Sequence, residues 1–392
     1  MKEDIVGICK EYCIGCGLCS GVLKCDFDKD EKGYIKPKLV AGVESSDFLD
    51  RCCPVVHQHG EDTNTAIWGK SLGTYMAFST NAEIRKRSSS GGVLTELAIF
   101  LLESKKVDGV IQVRASQSNP AQTVCQISRT KEDVLQCSGS RYAISSPWLD
   151  IEKKFRAGEI YCAIGKPCDI YALRRIAEIN EKYQGIRYFL SFFCAGLPSE
   201  NANHKLLKEL GCEKDCTYLN YRGNGWPGYT VAQTKDGKEG RMEYGNAWGD
   251  ILGRDIHPYC RICLDGIGEA ADISCGDGWF IKEGKPDFSE RDGRNIVFVR
   301  TRQGKNILDE AVEAGAIERN EWDNAGELAI IQKYQLTRRV TMKAKLCAYR
   351  IMRRNIPQYN KRVLKAYSGH ASLKLKARIF AGSLKRLMRK TC

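Results

Sequence analysis

From residue 72 onward, short apolar runs and amphipathic stretches take turns along the chain. "GTYMAFST" carries aromatic and β-branched residues in alternation and predicts a strand. The polar, glycine-ending "RKRSSSGG" follows as a loop, "VLTELAIFLLES" predicts a buried helix, and "VDGVIQV" a second strand. The pattern recurs downstream. Ile160–Gly165 predicts a strand, "KPCD" a turn, "IYALRRIAEI" a helix, and "IRYFLSFF" a strand ending at Cys194. "NIVFVRT" reads as a closing strand with the helix "QGKNILDEAVEAGAI" after it. Alternation at this spacing predicts an α/β fold whose sheet is mixed and mostly parallel. Between 217 and 300 the pattern is more irregular, with Gly and Trp in "YRGNGWPGYT" and "EYGNAWGD".

Both ends depart from this pattern. Residues 1–60 are rich in cysteine and turn residues, with "EKGYIKPKLV" as a short hairpin, and a metal core in place of an apolar one accounts for that composition. Past 330 the chain reads as a basic helical tail. Leu373, Ala377, Phe380, Leu384, Leu387 and Met388 share one helical face, with Lys374, Arg378, Lys385, Arg386, Arg389 and Lys390 elsewhere and Leu375 and Ile379 as exceptions. The expected divisions are 1–60, 70–150, 155–325 and 330–392.

Charge sharpens the picture of the tail. The 392-residue chain carries +13, yet Lys333 to Lys390 alone holds 18 Lys or Arg and no Asp or Glu, leaving the rest near −5. A basic amphipathic helix suits an anionic membrane surface, where each cation near the surface contributes about 1 kcal/mol. It equally suits docking of its apolar face on the body or on a partner. Nucleic acid is not the expected partner. The first residues show no apolar signal core, and the longest apolar run is interrupted by Glu96 and too short to span a bilayer. The expectation is a cytoplasmic protein, with the tail offering peripheral contact at the inner face of the membrane.

Nineteen cysteines in such a compartment point to metal or redox chemistry rather than disulfides. "CIGCGLC" sets Cys13, Cys16 and Cys19 three apart, with Gly15 and Gly17 letting the backbone turn around a body held by thiolates. Such a loop supplies three ligands of a 4Fe–4S cluster, and the fourth comes from elsewhere. The "CCP" at 52–54 offers Cys53, with Cys52 and Cys25 as alternatives. A zinc knuckle is the competing reading. A second set comprises Cys168 and Cys194, each just after a predicted strand, and the Cys260–Cys263 pair of "YCRIC". Ends of parallel strands share one sheet edge, so these four can meet. Alternatively Cys168 and Cys194 are buried small side chains and the pair binds zinc.

Three loops have the chemistry of an anion site: Ser88, Ser89, Ser90, Gly91 and Gly92; Ser138, Gly139, Ser140, Arg141 and Tyr142; and Gly165, Lys166 and Pro167. Phosphate-binding loops beside a cluster suggest a flavin, which takes electrons singly and delivers a hydride.

In order, "CIGCGLC", "SSSGGVLTEL", "SGSRYA", "GKPCDIYALRRI", "FFCAGLPS" and "YCRICLDGIGEAADISCGDGW" resemble the coenzyme F420 hydrogenase/dehydrogenase beta-subunit family over about residues 8 to 300. The family includes bacterial members found with polysaccharide-synthesis enzymes, and the resemblance implies a chain of that type, with an unidentified substrate in polysaccharide biosynthesis as the expectation. The resemblance implies an FAD-binding iron–sulfur oxidoreductase with a ferredoxin-type module at 1–60 and the family's N- and C-terminal α/β domains at 70–150 and 155–325. It implies flavin contacts at the three loops above. It also supports Cys168, Cys194, Cys260 and Cys263 as candidates for a second cluster, but the chain has no second cysteine triplet and no Cys-Pro directly after the first, so a single N-terminal cluster is the expectation. Expected partners are a ferredoxin-like donor or acceptor and a homo-oligomer or redox complex. A non-catalytic electron-transfer subunit is the alternative to an enzyme. No catalytic acid stands out; His257 in "RDIHPYC" is the candidate proton donor, against the commoner structural role of a lone histidine.

Overall fold

The computed structural model describes residues 5–38, 47–58 and 64–389. Its centre is an eight-stranded sheet. In chain order the strands are β1 (Gly73–Ser79), β2 (Gly109–Ala115), β3 (Thr123–Ser128), β4 (Tyr161–Gly165), β5 (Ile186–Phe192), β6 (Ile273–Asp277), β7 (Asn295–Val299) and β8 (Ile317–Glu321). In space they run β8-β1-β7-β6-β5-β4-β2-β3. Every residue of β7 is buried, as a strand covered on both faces requires.

The sheet is mixed but not mostly parallel. Only β6–β5, β5–β4 and β4–β2 pair parallel; the other four neighbours are antiparallel. The expectation erred because an apolar run buried on both faces carries no mark of its direction. The region read as irregular holds a second, antiparallel sheet of Cys216–Asn220, Tyr229–Thr234 and Glu239–Glu243.

The helices that matter below are α1 (Ile5–Tyr12), α2 (Val93–Glu103), α3 (Pro167–Ile179), α4 (Pro258–Ile262), α5 (Lys333–Val340), α6 (Met342–Ile351), α7 (Lys361–Gly369) and α8 (Leu373–Met388). Pro167 opens α3 and Pro258 opens α4, at positions where the missing N–H is no loss. A short hairpin joins Phe27–Lys29 to Ile35–Pro37, starting a few residues before the expected one.

One apolar core joins both ends of the chain to the body. Ile8, Tyr12, Leu18 and Leu49 from the N-terminus meet Trp148, Ile170, Leu173 and Ile262, and Met342, Leu346, Val363, Leu364 and Leu387 from the tail complete it. The tail also adds a strand, Gln358–Tyr359, parallel to His57–Gln58. It is thus docked on the body.

The docked face of α8 differs from the expected one. Ser383 and Leu387 are buried and Leu375, Ile379, Phe380 and Leu384 half-buried, while Leu373 is 82% exposed and Ala377 and Met388 also face outward. Leu375 and Ile379, the exceptions in the sequence pattern, lie on the inward side, because α8 packs along α6 there. Among the described residues no helix is long and apolar enough to cross a membrane.

Candidate redox centre: two cysteine groups and a basic cleft

The "CIGCGLC" loop follows α1 and turns through two left-handed glycines, Gly15 (φ 67°) and Gly17 (φ 97°). A Cβ on Gly17 would stand 2.4 Å from the Leu149 backbone nitrogen, so only glycine lets the loop approach that segment. Ser146 Oγ donates to the Gly15 carbonyl (2.5 Å) and Trp148 N–H to the Cys16 carbonyl (2.9 Å). Lys36 Nζ reaches the Cys13 carbonyl (3.0 Å). The loop is therefore held from both sides.

Cys13, Cys16, Cys19 and Cys53 lie within electrostatic reach of one another. Burial, with Cys53 beside it, raises the Cys13 thiol to about 11. Cys16 and Cys19 are raised by burial and then by neighbours that include Cys13 and Cys53. Cys53 also shares a hydrogen bond with Cys9. Of the alternatives, Cys25 turns its Sγ to the Leu23 carbonyl, and its thiol is raised by burial and then by Asp26. Cys52 is fully buried in the core.

The second group assembles at the ends of adjacent parallel strands. Cys168 sits in the first turn of α3 after β4, Cys194 follows β5, and Cys260 and Cys263 flank the end of α4. All four line one small cavity with Lys166, Asp265, Arg338 and Ile14. Ile14 belongs to the Cys13–Cys19 loop, so the two groups are neighbours across its side chain. Leu197 N–H donates to Cys260 Sγ (3.3 Å). Burial raises Cys260 to about 11 and Cys263 to about 12. Lys166 Nζ bridges Asp169 (2.5 Å) and Ser145 (3.0 Å). Burial opposes its charge, but the Asp169 carboxylate and the Cys168 sulfur more than reverse that and hold it above the usual lysine range. Among the described residues no group of three or more His, Cys, Asp or Glu is drawn together as a single metal ion requires.

A cleft of about 520 Å³, within the usual range for ligand pockets, opens beyond the end of β2. Lys86, Arg87, Arg114, Ser138, Ser140 and Arg141 give its wall a basic, hydroxyl-rich character. Arg141 donates to the carbonyls of Pro120 (2.5 Å), Gln122 (3.0 Å) and Leu219 (3.3 Å), and its Nε is buried without a partner.

The three predicted loops separate. Ser138, Ser140 and Arg141 line the cleft. Ser88 and Ser89 brace that loop from behind: Ser88 Oγ lies 3.3 Å from Ser138 Oγ, and Ser140 N–H donates to Ser89 Oγ (2.6 Å). Ser90 donates to the Arg294 carbonyl, Gly91 lies against Ala77 and Asn295, and Gly92 caps α2 at φ 79°. Gly139 turns at φ 95°, and Tyr142 packs among Tyr221, Tyr244 and Trp248. Lys166 and Pro167 line the cysteine cavity and Gly165 lies against Trp148, away from the cleft. The cleft residues missed from the sequence are chiefly Lys86, Arg87 and Arg114. The basic run directly before "SSSGG" was the available signal. His257 is fully buried; its Nδ1 accepts from Tyr259 N–H (3.2 Å) and its ring meets Tyr34 edge-on, a helix-capping role outside both cavities.

Comparison with known proteins adds a family. Residues 74–152 match the model for the N-terminal part, and 158–325 that for the C-terminal part, of the coenzyme F420 hydrogenase/dehydrogenase beta subunit. The coenzyme F420 hydrogenase subunit beta of Methanococcus voltae is 29% identical over 67% of this chain and 89% of its own length. The coenzyme F420-dependent sulfite reductase of Methanocaldococcus jannaschii is 28% identical over 63% of this chain but only 38% of its own length. A chain of the F420-reducing [NiFe] hydrogenase complex from Methanosarcina barkeri shares the fold, with a TM-score of 0.56 at 21% identity, over 74% of this chain and 97% of that one. Both family models end before the basic tail.

Proposed function

Because the chain belongs to the coenzyme F420 hydrogenase/dehydrogenase beta-subunit family, we propose that it is an electron-transferring oxidoreductase that holds two 4Fe–4S clusters and FAD. The observation that carries this reading is the meeting of Cys168, Cys194, Cys260 and Cys263, far apart in sequence, in one cavity beside the Cys13–Cys19 loop. When bound, iron–sulfur clusters pass single electrons, and a flavin converts single-electron to hydride chemistry.

Cys13, Cys16, Cys19 and Cys53 are the ligands we assign to one cluster, and Cys168, Cys194, Cys260 and Cys263 to the other. Ile14 separates the two groups with an apolar side chain that keeps water out. Lys166 sets a fixed positive charge beside the second group, paired to Asp169 so that it does not wander. Lys86, Arg87 and Arg141 would hold the flavin diphosphate, and Ser138 and Ser140 would donate to it. The cleft lies at the end of β2 and Cys168 follows β4, its parallel neighbour. Adjacent strands run about 4.8 Å apart, so the flavin site and the second cluster site share one sheet edge.

The curated relatives named as beta subunits favour a place in a larger redox complex. We therefore assign electron entry to a ferredoxin-like carrier or a partner subunit. Anaerobic purification with iron, sulfide and flavin analysis tests the reading. We expect about eight irons and one FAD per chain. A colourless protein overturns it. Turnover by the single chain with an artificial donor separates an enzyme from a relay subunit.

A further inference from the structure

The tail lies outside both family models, yet it reaches into the second cysteine site. Arg338 of α5 lines that cavity together with all four cysteines. Its Nη2 donates to the Ala195 carbonyl (2.9 Å) and meets Tyr334 Oη (3.2 Å). Tyr334 Oη donates to the same carbonyl (2.9 Å), and Gln335 Nε2 donates to the Cys194 carbonyl (3.0 Å). One turn of helix thus clasps the backbone that carries Cys194. Further contacts fix the tail around the Cys260–Cys263 pair: Lys345 Nζ donates to the Arg261 carbonyl (2.6 Å) and Tyr359 Oη to the Ile262 carbonyl (2.6 Å).

Arg338 is buried, and among the described residues its side-chain hydrogen bonds go to a neutral carbonyl and a phenol, while Asp265 lines the same cavity. A guanidinium taken out of water at such cost needs compensation from a nearby negative charge. The sulfurs supply the site for one.

We propose that Arg338, delivered by the C-terminal tail, is a positioning residue of the second cluster site that sets its potential: a fixed cation favouring the more negatively charged, reduced state. The inference rests on the assignment of a cluster to Cys168, Cys194, Cys260 and Cys263. In a site of low dielectric one unit charge at close range acts strongly on the added electron.

The test uses the full chain, reconstituted anaerobically, with midpoint potentials read by EPR-monitored redox titration. Arg338→Gln is expected to move one of the two cluster potentials to more negative values while the other stays. Arg338→Lys is expected to keep most of the wild-type value. Arg338→Met, an apolar replacement suited to a buried position, supplies the neutral variant if R338Q fails to fold. Unmoved potentials in R338Q and R338M overturn the inference, and so does a shift in R338K as large as in R338Q, which would assign the effect to packing. Loss of four irons in the neutral variants but not in R338K supports a requirement for the charge; loss in all three overturns it. A wild-type chain holding no second cluster sinks the underlying assignment instead, and is recognised by its iron content before any variant is made.

Discussion

Asp272 offers the sharpest test of how the sheet holds the second cysteine site. It lies just before β6, and its carboxylate accepts from Arg174 Nη2 (2.6 Å), Thr301 Oγ1 (2.7 Å) and Phe189 N–H (2.8 Å). Those donors come from α3, which begins with the Cys168 turn, from the segment after β7, and from β5, which leads to Cys194. The Asp272 side chain is 2% exposed and that of Arg174 25%. Asp272→Asn keeps the shape but removes the charge and turns an N–H₂ toward one of three donors. Breaking a buried pair from one side costs about 3–5 kcal/mol, and water at Arg174 puts this site near the lower end, about 3 kcal/mol. With roughly 2.1 cal/mol/K of unfolding entropy per residue over 392 residues, that loss lowers the melting temperature by about 4 °C. Anaerobic calorimetry measures it. Arg174→Met in the D272N background should restore most of the loss, since no unpaired charge then remains. Iron release from the second site should also quicken in D272N. A melting temperature within 1 °C of wild type, or a double variant worse than the sum of the singles, would refute the clamp.

Other expectations follow from the same geometry. Cys53→Ser should lose one cluster, about four irons per chain by direct analysis, while Cys25→Ser keeps it; the reverse result would move the fourth ligand to Cys25. Arg87, exposed at the cleft rim, should contribute a charge-assisted bond of about 1.5–3 kcal/mol to a bound diphosphate. On that basis Arg87→Ala weakens FAD binding by roughly 10- to 150-fold in a fluorescence titration of apoprotein, and an unchanged affinity would place the diphosphate elsewhere. Burial raises the pKa of Glu96 against the opposing bond from Ser79 (2.5 Å). The folded state then binds its proton more tightly than the unfolded one, so this contribution is present at pH 4 and lost as pH rises through the folded pKa. Glu96→Gln should therefore gain melting temperature relative to wild type as pH goes from 4 to 8; a difference constant with pH would exclude the effect.

The sheet edge and its cysteines were legible because they depend only on strand ends. "IYCAIG" and "IRYFLSFF" declare themselves as buried strands, and Cys168 and Cys194 follow each within three residues. Parallel neighbours must then present both at one edge, where the structure has them. Direction was not legible. β1 and β7 look like parallel strands because both faces are covered, and only the pairing shows that they run against their neighbours. The serine- and glycine-rich loops look alike in sequence and take different places in the fold. Serine and glycine mark a tight turn whether it cradles a ligand or braces another loop, and Ser88 to Gly92 do the second while Ser138, Ser140 and Arg141 face the cleft. Long cations such as Lys86 and Arg87 reach a site from a helix end that the sequence gives no cause to aim there.

The tail shows why a charge count misleads when placement is unknown. Its 18 cations and missing acids read as one basic surface. Arg338 and Arg339 are instead buried, the first over the cysteine cavity and the second against Glu269 and Tyr367. Lys345 also points inward, and burial with the nearby Arg338, Arg386 and Arg261 lowers it to about 7. Apolar residues occur on two sides of α8, so periodicity alone could not choose between the Leu373–Ala377 and Leu375–Ile379 faces. α6 decides, and it does so because its own partners are α4 and the rim of the second cysteine site. The tail is thus placed by the apolar core it completes as well as by its contacts at the second cysteine site. The inward cations accordingly find different surroundings: Arg338 lines the cysteine cavity, Arg339 pairs with Glu269, and Lys345 donates to the Arg261 carbonyl, so one basic composition serves three separate contacts.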